Sequence, residues 1–312
     1  MTRSAILCGW IALAMTAGGA DRALLGIAGD AEMLIGVKAR AAIESGLGRT
    51  ALEGVSFPDA RLDRIFQAAG LDLKRDVEEI VIAANHGSHR DALVSLRGTF
   101  DAARLRRAAV AGGLTSQAYN GIDLFTGPAL EGEDHSFAVA GTTLALLGPK
   151  VRVHEAIDRW KQSATPSGAL LERVREVEGG DLWLVSRAPI ASLASVAPDR
   201  NTAAAARGDL FRTIEQWGVS LRLGPMVRIE GHAVARSPTD ASSITEAMTF
   251  LMGLLQMQGG AGAGLAGAVE DFQASSTGNK VTVSFQIPEV TLKSALAHSL
   301  PRLSDKERRI SR

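Results

Sequence analysis

Glu78–Leu105, EEIVIAANHGSHRDALVSLRGTFDAARL, reads as strand, turn, strand and the start of a helix. Val81, Ile82, Ala83 and Ala84 make a short unbroken apolar run, the pattern of a strand covered on both faces. Asn85–Asp91 is polar, holds a glycine and has no apolar residue, which is the composition of a turn. Ala92–Gly98 resumes the apolar character, with Val94 and Leu96 alternating against Ser95 and Arg97. Asp101 suits an N-cap, because its carboxylate can accept from the free N–H groups of a first helical turn. The helix Ala102–Ala111 follows, and Gly112-Gly113 ends it.

A weaker copy of this pattern returns at Trp217–Ile244. Gly218–Leu223 and Met226–Glu230 alternate apolar and polar residues about a Gly224-Pro225 turn, and Pro238-Thr-Asp240 opens a helix at Ala241. The strands ahead of each hairpin also match in pattern, Met33–Ala39 against Trp183–Ala188. Both halves therefore read β-α-β-β-α-β, and the expected fold class is α+β, two tandem repeats with mainly antiparallel sheets packed by helices. The expected boundaries are a first repeat over 21–168, a second over 169–303 and a basic, disordered tail over 304–312.

Working outward, Ala31–Ala39 reads as the first strand, after a weakly structured Asp21–Asp30. Ala41–Ser45 starts a helix that Gly46-Leu-Gly48 breaks. Pro58–Ala69 is an amphipathic helix, with Leu62, Ile65, Phe66 and Ala69 on one face and Gly70 as its stop. Leu71–Asp76 is a polar approach to the central hairpin, Gln117–Thr126 a single alternating strand, and Ser136–Gly148 a hairpin about Gly141-Thr142. Helices are expected over Val151–Trp160, Leu170–Val177 and Val290–Leu303, and a strand over Lys280–Ile287.

The 312 residues carry no formal net charge, and the basic residues are spread along the chain, so nucleic acid is not an expected partner. Met1-Thr-Arg3, the apolar run Ala5–Ala17 and Gly18-Gly-Ala20 have the three parts of a secretory signal peptide, residues 1–20, with cleavage before Asp21. The expected location is periplasmic or secreted, with no stable membrane span once that segment is gone; an uncleaved anchor is the alternative. Cys8, the only cysteine, lies within that apolar run, so the processed chain would have neither disulfide nor thiolate chemistry.

Three stretches invite chemistry. Gly262-Ala-Gly264-Leu-Ala-Gly267 matches a dinucleotide-binding glycine pattern in letters, but an apolar helix precedes it where that motif needs a strand, so it reads as a flexible connector and no cofactor is expected. His86 and His89 share one turn. The β-α-β-β-α-β topology places that turn at the same end of the sheet as His135 and its acidic loop, a donor set that suits a zinc-like ion; a solvated turn is the alternative. The helix Ala241–Gln258 is apolar on nearly all sides from Met248 on. It reads either as a core helix or as the wall of a site for an apolar, lipid-like ligand on Met248, Met252 and Leu255. No G-x-S-x-G elbow, H-E-x-x-H pair or P-loop occurs.

Asp76-Val-Glu-Glu-Ile-Val-Ile-Ala83, Leu96-Arg-Gly-Thr-Phe-Asp101 and Trp183-Leu-Val resemble uncharacterised exported bacterial proteins built from tandem α+β repeats. The resemblance implies the fold and the export, and it carries no activity to transfer. The leading expectation is thus a non-enzymatic binding or interaction protein of the envelope, its partner an unknown protein or an apolar small molecule. An apolar-ligand carrier and a metal-dependent enzyme are the alternatives.

Overall fold

The computed structural model describes residues 22–28, 31–53, 60–85, 88–127, 130, 134–164, 170–190, 209–257 and 267–299. Residues 1–20, with the signal-peptide reading, lie outside them, as do His86, residues 262–266 of the glycine pattern, and the tail.

Twelve strands form one sheet, ordered β11-β12-β10-β9-β8-β1-β2-β3-β7-β6-β5-β4, and every neighbouring pair is antiparallel. In the first half these are β1 (Met33–Lys38), β2 (Val77–Asn85), β3 (Ser88–Gly98), β4 (Thr115–Tyr119), β5 (Ile122–Thr126), β6 (His135–Ala140) and β7 (Leu144–Pro149). In the second they are β8 (Leu182–Ser186), β9 (Ile214–Arg222), β10 (Met226–Ala235), β11 (Glu270–Thr277) and β12 (Lys280–Pro288). The coarse α+β reading holds. The sheet, however, runs without a break across position 168, because β1 pairs with β8 from Met33↔Ser186 to Val37↔Leu182.

That seam is close-fitted. Gly36 lies opposite Trp183, and a Cβ at Gly36 would sit 1.9 Å from the indole, so the ring crosses where any side chain would stand. Trp183 is 2 % exposed and belongs to a core cluster with Leu34, Ala83, Leu93 and Val185, residues that form one row across β8, β1, β2 and β3. Helices α1 (Arg22–Ala28), α7 (Lys150–Lys161) and α8 (Leu171–Val177) cover this face. The segment expected to be weakly structured is therefore the helix α1, whose Leu24, Leu25 and Ala28 are buried beside the seam. Its ALLGIA run has enough apolar surface to be held by tertiary packing, despite a length too short for a stable isolated helix.

The other face carries α2 (Ala39–Glu44), α4 (Ala60–Ala68) and α6 (Ala102–Ala111) over the first half. Over the second half it carries α9, residues Pro238–Met257. Asp101 caps α6 as expected, its side chain accepting from Arg104 N at 2.9 Å.

Several local readings change. Gln117–Thr126 is a hairpin, broken at Asn120-Gly121, where both residues have positive φ (47° and 75°); this is the Asn-Gly pair that a two-residue turn requires. The polar Asn85–Asp91 turn is shorter than expected, since β3 starts at Ser88 and pairs with Asn85; a backbone ladder forms regardless of side-chain polarity. Strand β11 was not evident in the sequence, because its small polar residues at Gln273, Ser275 and Thr277 lack the apolar density of a strand signal. Leu73–Asp76 closes into a one-turn helix, α5, capped by Asp72. The helix α2 does stop ahead of Gly46-Leu-Gly48, at Glu44, but that stretch is itself helical. It starts α3 (Gly46–Glu53), and the missing cap comes from far along the chain.

That cap is Glu289, the first residue of α10 (Glu289–Ser299). Its Oε1 accepts from Ser45 Oγ at 2.6 Å and from Leu47 N at 2.8 Å, while Ser45 Oγ accepts from Gly48 N at 3.0 Å. The helix N-terminus, with its unpaired N–H groups and positive dipole end, is thus satisfied by a carboxylate from the opposite half.

We expect Gly36→Ala to cost about 1–3 kcal/mol by overpacking against Trp183. Urea unfolding followed by tryptophan emission measures this. An unchanged midpoint would show that the seam tolerates the extra carbon.

Candidate functional site

Helix α9 begins at a turn in which Ser237 Oγ accepts from Asp240 N at 3.1 Å and bonds Asp240 Oδ2 at 2.7 Å. From there Ala241 and Ile244 are buried against the sheet, and Met248 packs on the same cluster with Phe272, Ala274 and Phe285. Met252 is half-buried. At 3.6 residues per turn, Met248, Met252 and Leu255 continue the stripe of Ala241 and Ile244. Met248 and Met252, two of the three residues read as a ligand wall, therefore lie on the sheet-facing stripe of α9, and Met248 serves the core there; the Leu255 side chain lies outside what the structure describes.

The opposite side of the helix is the unusual one. Phe250 sits about 200° around the axis from Met248. It is 74 % exposed, and Leu251 beside it is 45 % exposed. Thr245 and Thr249 spend their hydroxyls on the helix itself, donating to Ala241 O and Thr245 O at 2.9 Å each. The outward side of this stretch thus exposes a large aromatic and a leucine to water beside the polar Glu246 and Thr249. No helix among the described residues is long and apolar enough to cross a membrane.

The histidine arrangement can be placed in part. His135 starts β6, opposite Pro149. Continuing the β3·β7 register beyond Val94↔Leu147 sets Ala92 level with Pro149. His89 of β3 is three residues farther on, roughly 10 Å along the strand, and two strands across from His135. His135 and the β2–β3 hairpin end lie at the same end of the sheet, yet the backbones of His89 and His135 are not neighbours. Among the described residues no group of three or more His, Cys, Asp or Glu is placed to hold a metal ion.

A polar cluster that sequence reasoning missed joins the β4–β5 turn to α7. Tyr119 stacks on His154, with ring centroids 3.8 Å apart and planes 2° from parallel. The Tyr119 hydroxyl donates to Asp158 Oδ2 at 2.9 Å, and Asn120 Nδ2 donates to Asp158 Oδ1 at 2.6 Å. Both carboxylate oxygens are engaged, so the cluster clamps the turn to the helix rather than offering a base. Asp158 accepts from the Tyr119 phenol and holds its pKa above the ordinary range. Burial, then the Lys150 charge, push His154 below its ordinary range, against the opposing pull of Asp158. His154 Nε2 is shielded and has no hydrogen-bond partner among the described residues. The i, i+4 spacing of His154 and Asp158 and the Asn-Gly pair were the signals that could have found this cluster.

A second buried charge is also structural. Arg173 of α8 is 3 % exposed and pairs with Glu176 at 2.8 Å, which in turn meets Lys280 of β12 at 3.3 Å.

No family model matches the chain, and no curated protein sequence does. Among solved structures, the chain is similar to the bacterial protein TP0453 in its crystal form I. The TM-score is 0.54 at 12 % sequence identity, over 89 % of this chain and 97 % of that one. At that identity the likeness is one of fold alone.

Acid sensitivity should come in two stages. His154 binds its proton more weakly in the fold than in the unfolded chain, which takes it up below about pH 6.5, so stability falls as pH drops through that value. Glu289, held below the ordinary carboxylate range by Ser45 and then Leu47, contributes stability that is present above about pH 4.5 and lost as pH falls further. His154→Phe keeps the stacking and should remove the upper stage, and Glu289→Gln the lower. Urea midpoints between pH 8 and 3 read both, and a wild-type profile flat down to about pH 5 would refute the first assignment.

Proposed function

We propose that the chain is a non-enzymatic binding protein of the bacterial envelope, exported with residues 1–20 removed, and that it meets an apolar partner through the outward face of α9. The observation that carries this reading is the exposure of Phe250 and Leu251, two apolar side chains side by side on a helix whose inner stripe already satisfies the core. A lone exposed apolar residue needs no explanation, but an adjacent pair that includes a phenylalanine this open is a contact surface in waiting.

The repeat organisation belongs to the same proposal. Outward from the seam the strands run β1-β2-β3-β7-β6 on one side and β8-β9-β10-β12-β11 on the other. In each half a helix follows the third strand, α6 and α9, and the last strand returns to pair with that third strand. A duplicated unit, with the β4–β5 hairpin added in the first copy, accounts for this order.

The test uses the full chain purified from an exporting host and an apolar fluorescent probe, 1-anilinonaphthalene-8-sulfonate. Phe250→Ser with Leu251→Ser should weaken probe binding about tenfold, consistent with losing part of a buried aromatic contact, with little change in the unfolding midpoint. Binding kept in that variant but lost in Met248→Ala would move the ligand between helix and sheet, the carrier arrangement, and overturn the surface reading. Native mass spectrometry of the same sample reads the N-terminus, and a mass beginning at Met1 would overturn the cleavage.

A further inference from the structure

A second surface lies in the first half, between α4 and α6. Two open depressions of about 410 and 500 Å³ adjoin there and share Ala68, Ala108 and Ala111. Their shape follows from residue size. At Gly112 the two helices close in, since a Cβ there would stand 2.4 Å from Ile65 Cγ1. That contact closes the floor at Ile65 and Gly112, and above it the alanines are too short to fill the space between the helices, so a trough remains.

The rim is basic. Arg64 flanks one depression, and Arg104 and Arg107 flank the other. No acidic side chain lines either depression. Arg104 is partly committed to Asp101, at 3.2 Å, and the neighbouring Arg106 to Asp123, also at 3.2 Å. Arg64 and Arg107 have no ionic partner among the described residues. On a chain with no formal net charge, an apolar trough bordered by guanidinium groups, two of them without an ionic partner among the described residues, is a local feature with a definite sign.

The shape selects among possible occupants. Small-molecule sites enclose most of their ligand, and this trough is open along its top, so a buried acyl chain would stay largely wet. A helix laid between α4 and α6 needs only small residues at the crossing so that the axes can approach to about 8–10 Å, and the three alanines provide that. Arginine at the edges then favours carboxylates on both sides of the incoming apolar stripe, each able to take two hydrogen bonds. We propose that the trough between α4 and α6 docks an acidic amphipathic helix of a partner protein, its apolar stripe on Ala68, Ala108 and Ala111 and its carboxylates on Arg64 and Arg107. This surface is separate from the outward face of α9, and it stands or falls on its own.

The probe is a labelled synthetic helix of about twenty residues, with alanine and leucine at i, i+3, i+4 and i+7 and glutamate on both flanks, read by fluorescence anisotropy with the full chain. A control peptide carries lysine in place of glutamate. The glutamate peptide should bind about tenfold more tightly than the control and weaken as salt rises. Arg64→Glu with Arg107→Glu should reverse that preference. Ala111→Phe, a change at an exposed position that fills the trough, should abolish binding while the circular dichroism spectrum and unfolding midpoint stay as in the wild type. Equal binding of the two peptides, or binding that survives Ala111→Phe, would overturn the proposal. So would phosphatidylglycerol vesicles that bind through Arg64 and Arg107 when the peptide does not, which would assign the arginines to an anionic surface instead.

Discussion

The pairing of β1 with β8 is the constraint on which the rest of the molecule depends. It joins strands 145 positions or more apart in sequence into one ladder of five residue pairs, Met33↔Ser186 to Val37↔Leu182. Ladder hydrogen bonds at a net of about 1 kcal/mol each do little more than offset the entropy of closing so long a loop, roughly 4–5 kcal/mol. The apolar contact across Gly36 supplies the difference, because a buried tryptophan removes about 150–250 Å² from water. It also sets the register. Sliding the pairing by one residue would send Trp183 to the opposite face and bring Val37 or Ile35 to the position where only a glycine fits. Helix α1 then covers the seam, which gives Arg22–Ala28 a structural duty their composition alone did not suggest.

The two halves differ in how their strands are covered, and the difference was legible as hydrophobic patterning. Strands β2, β6 and β8 carry runs such as VIAA, FAVA and LWLV and lie between helices on both faces. In β9, β10 and β12 apolar and polar residues alternate, and α9 covers the apolar face. Their other face carries rows such as Ser220, Glu230, Ser284 and Gln273, aligned by register. Among the described residues only α8 packs on this face, against β9 and β10 where Ser220 is buried; the rest of the polar rows need no covering helix, so the second half reaches a stable sheet with fewer elements.

What could not be read from the sequence shares a cause, namely partners far apart in the chain. Gly46 and Gly48 look like helix breakers because a glycine-rich stretch has no local means to start a helix; Glu289, more than 240 positions later, provides it. The Asn120-Gly121 turn is the exception, a strong local signal flanked on both sides by alternating residues that continue the strand pattern across it. Strand β11 had neither kind of signal, since its pairing with β12 does the work that apolar density does elsewhere. For the candidate sites the same division applies. The apolar character of α9 is plain in the sequence, while which side of it faces water is decided by Phe272, Ala274 and Phe285 on β11 and β12, far along the chain from its start.

The two surfaces argued to bind partners lie on the same side of the sheet. Leu184, Ile35, Ile82, Val94 and Leu147 form one row across β8, β1, β2, β3 and β7, and its ends belong to the core clusters under α9 and under α4 and α6. The helices above that face therefore make up one layer, with the apolar pair Phe250 and Leu251 over the second half and the arginine-edged trough over the first. They would act through different physics. An apolar pair gains affinity only at contact, when water leaves it, and does nothing to guide an approaching molecule. Guanidinium groups act over roughly the screening length, about 8 Å at physiological salt, and bias orientation before contact. A partner that used both would be oriented by the first half and retained by the second, so the order of the two contacts is set by the range of the forces rather than by any motion of the protein.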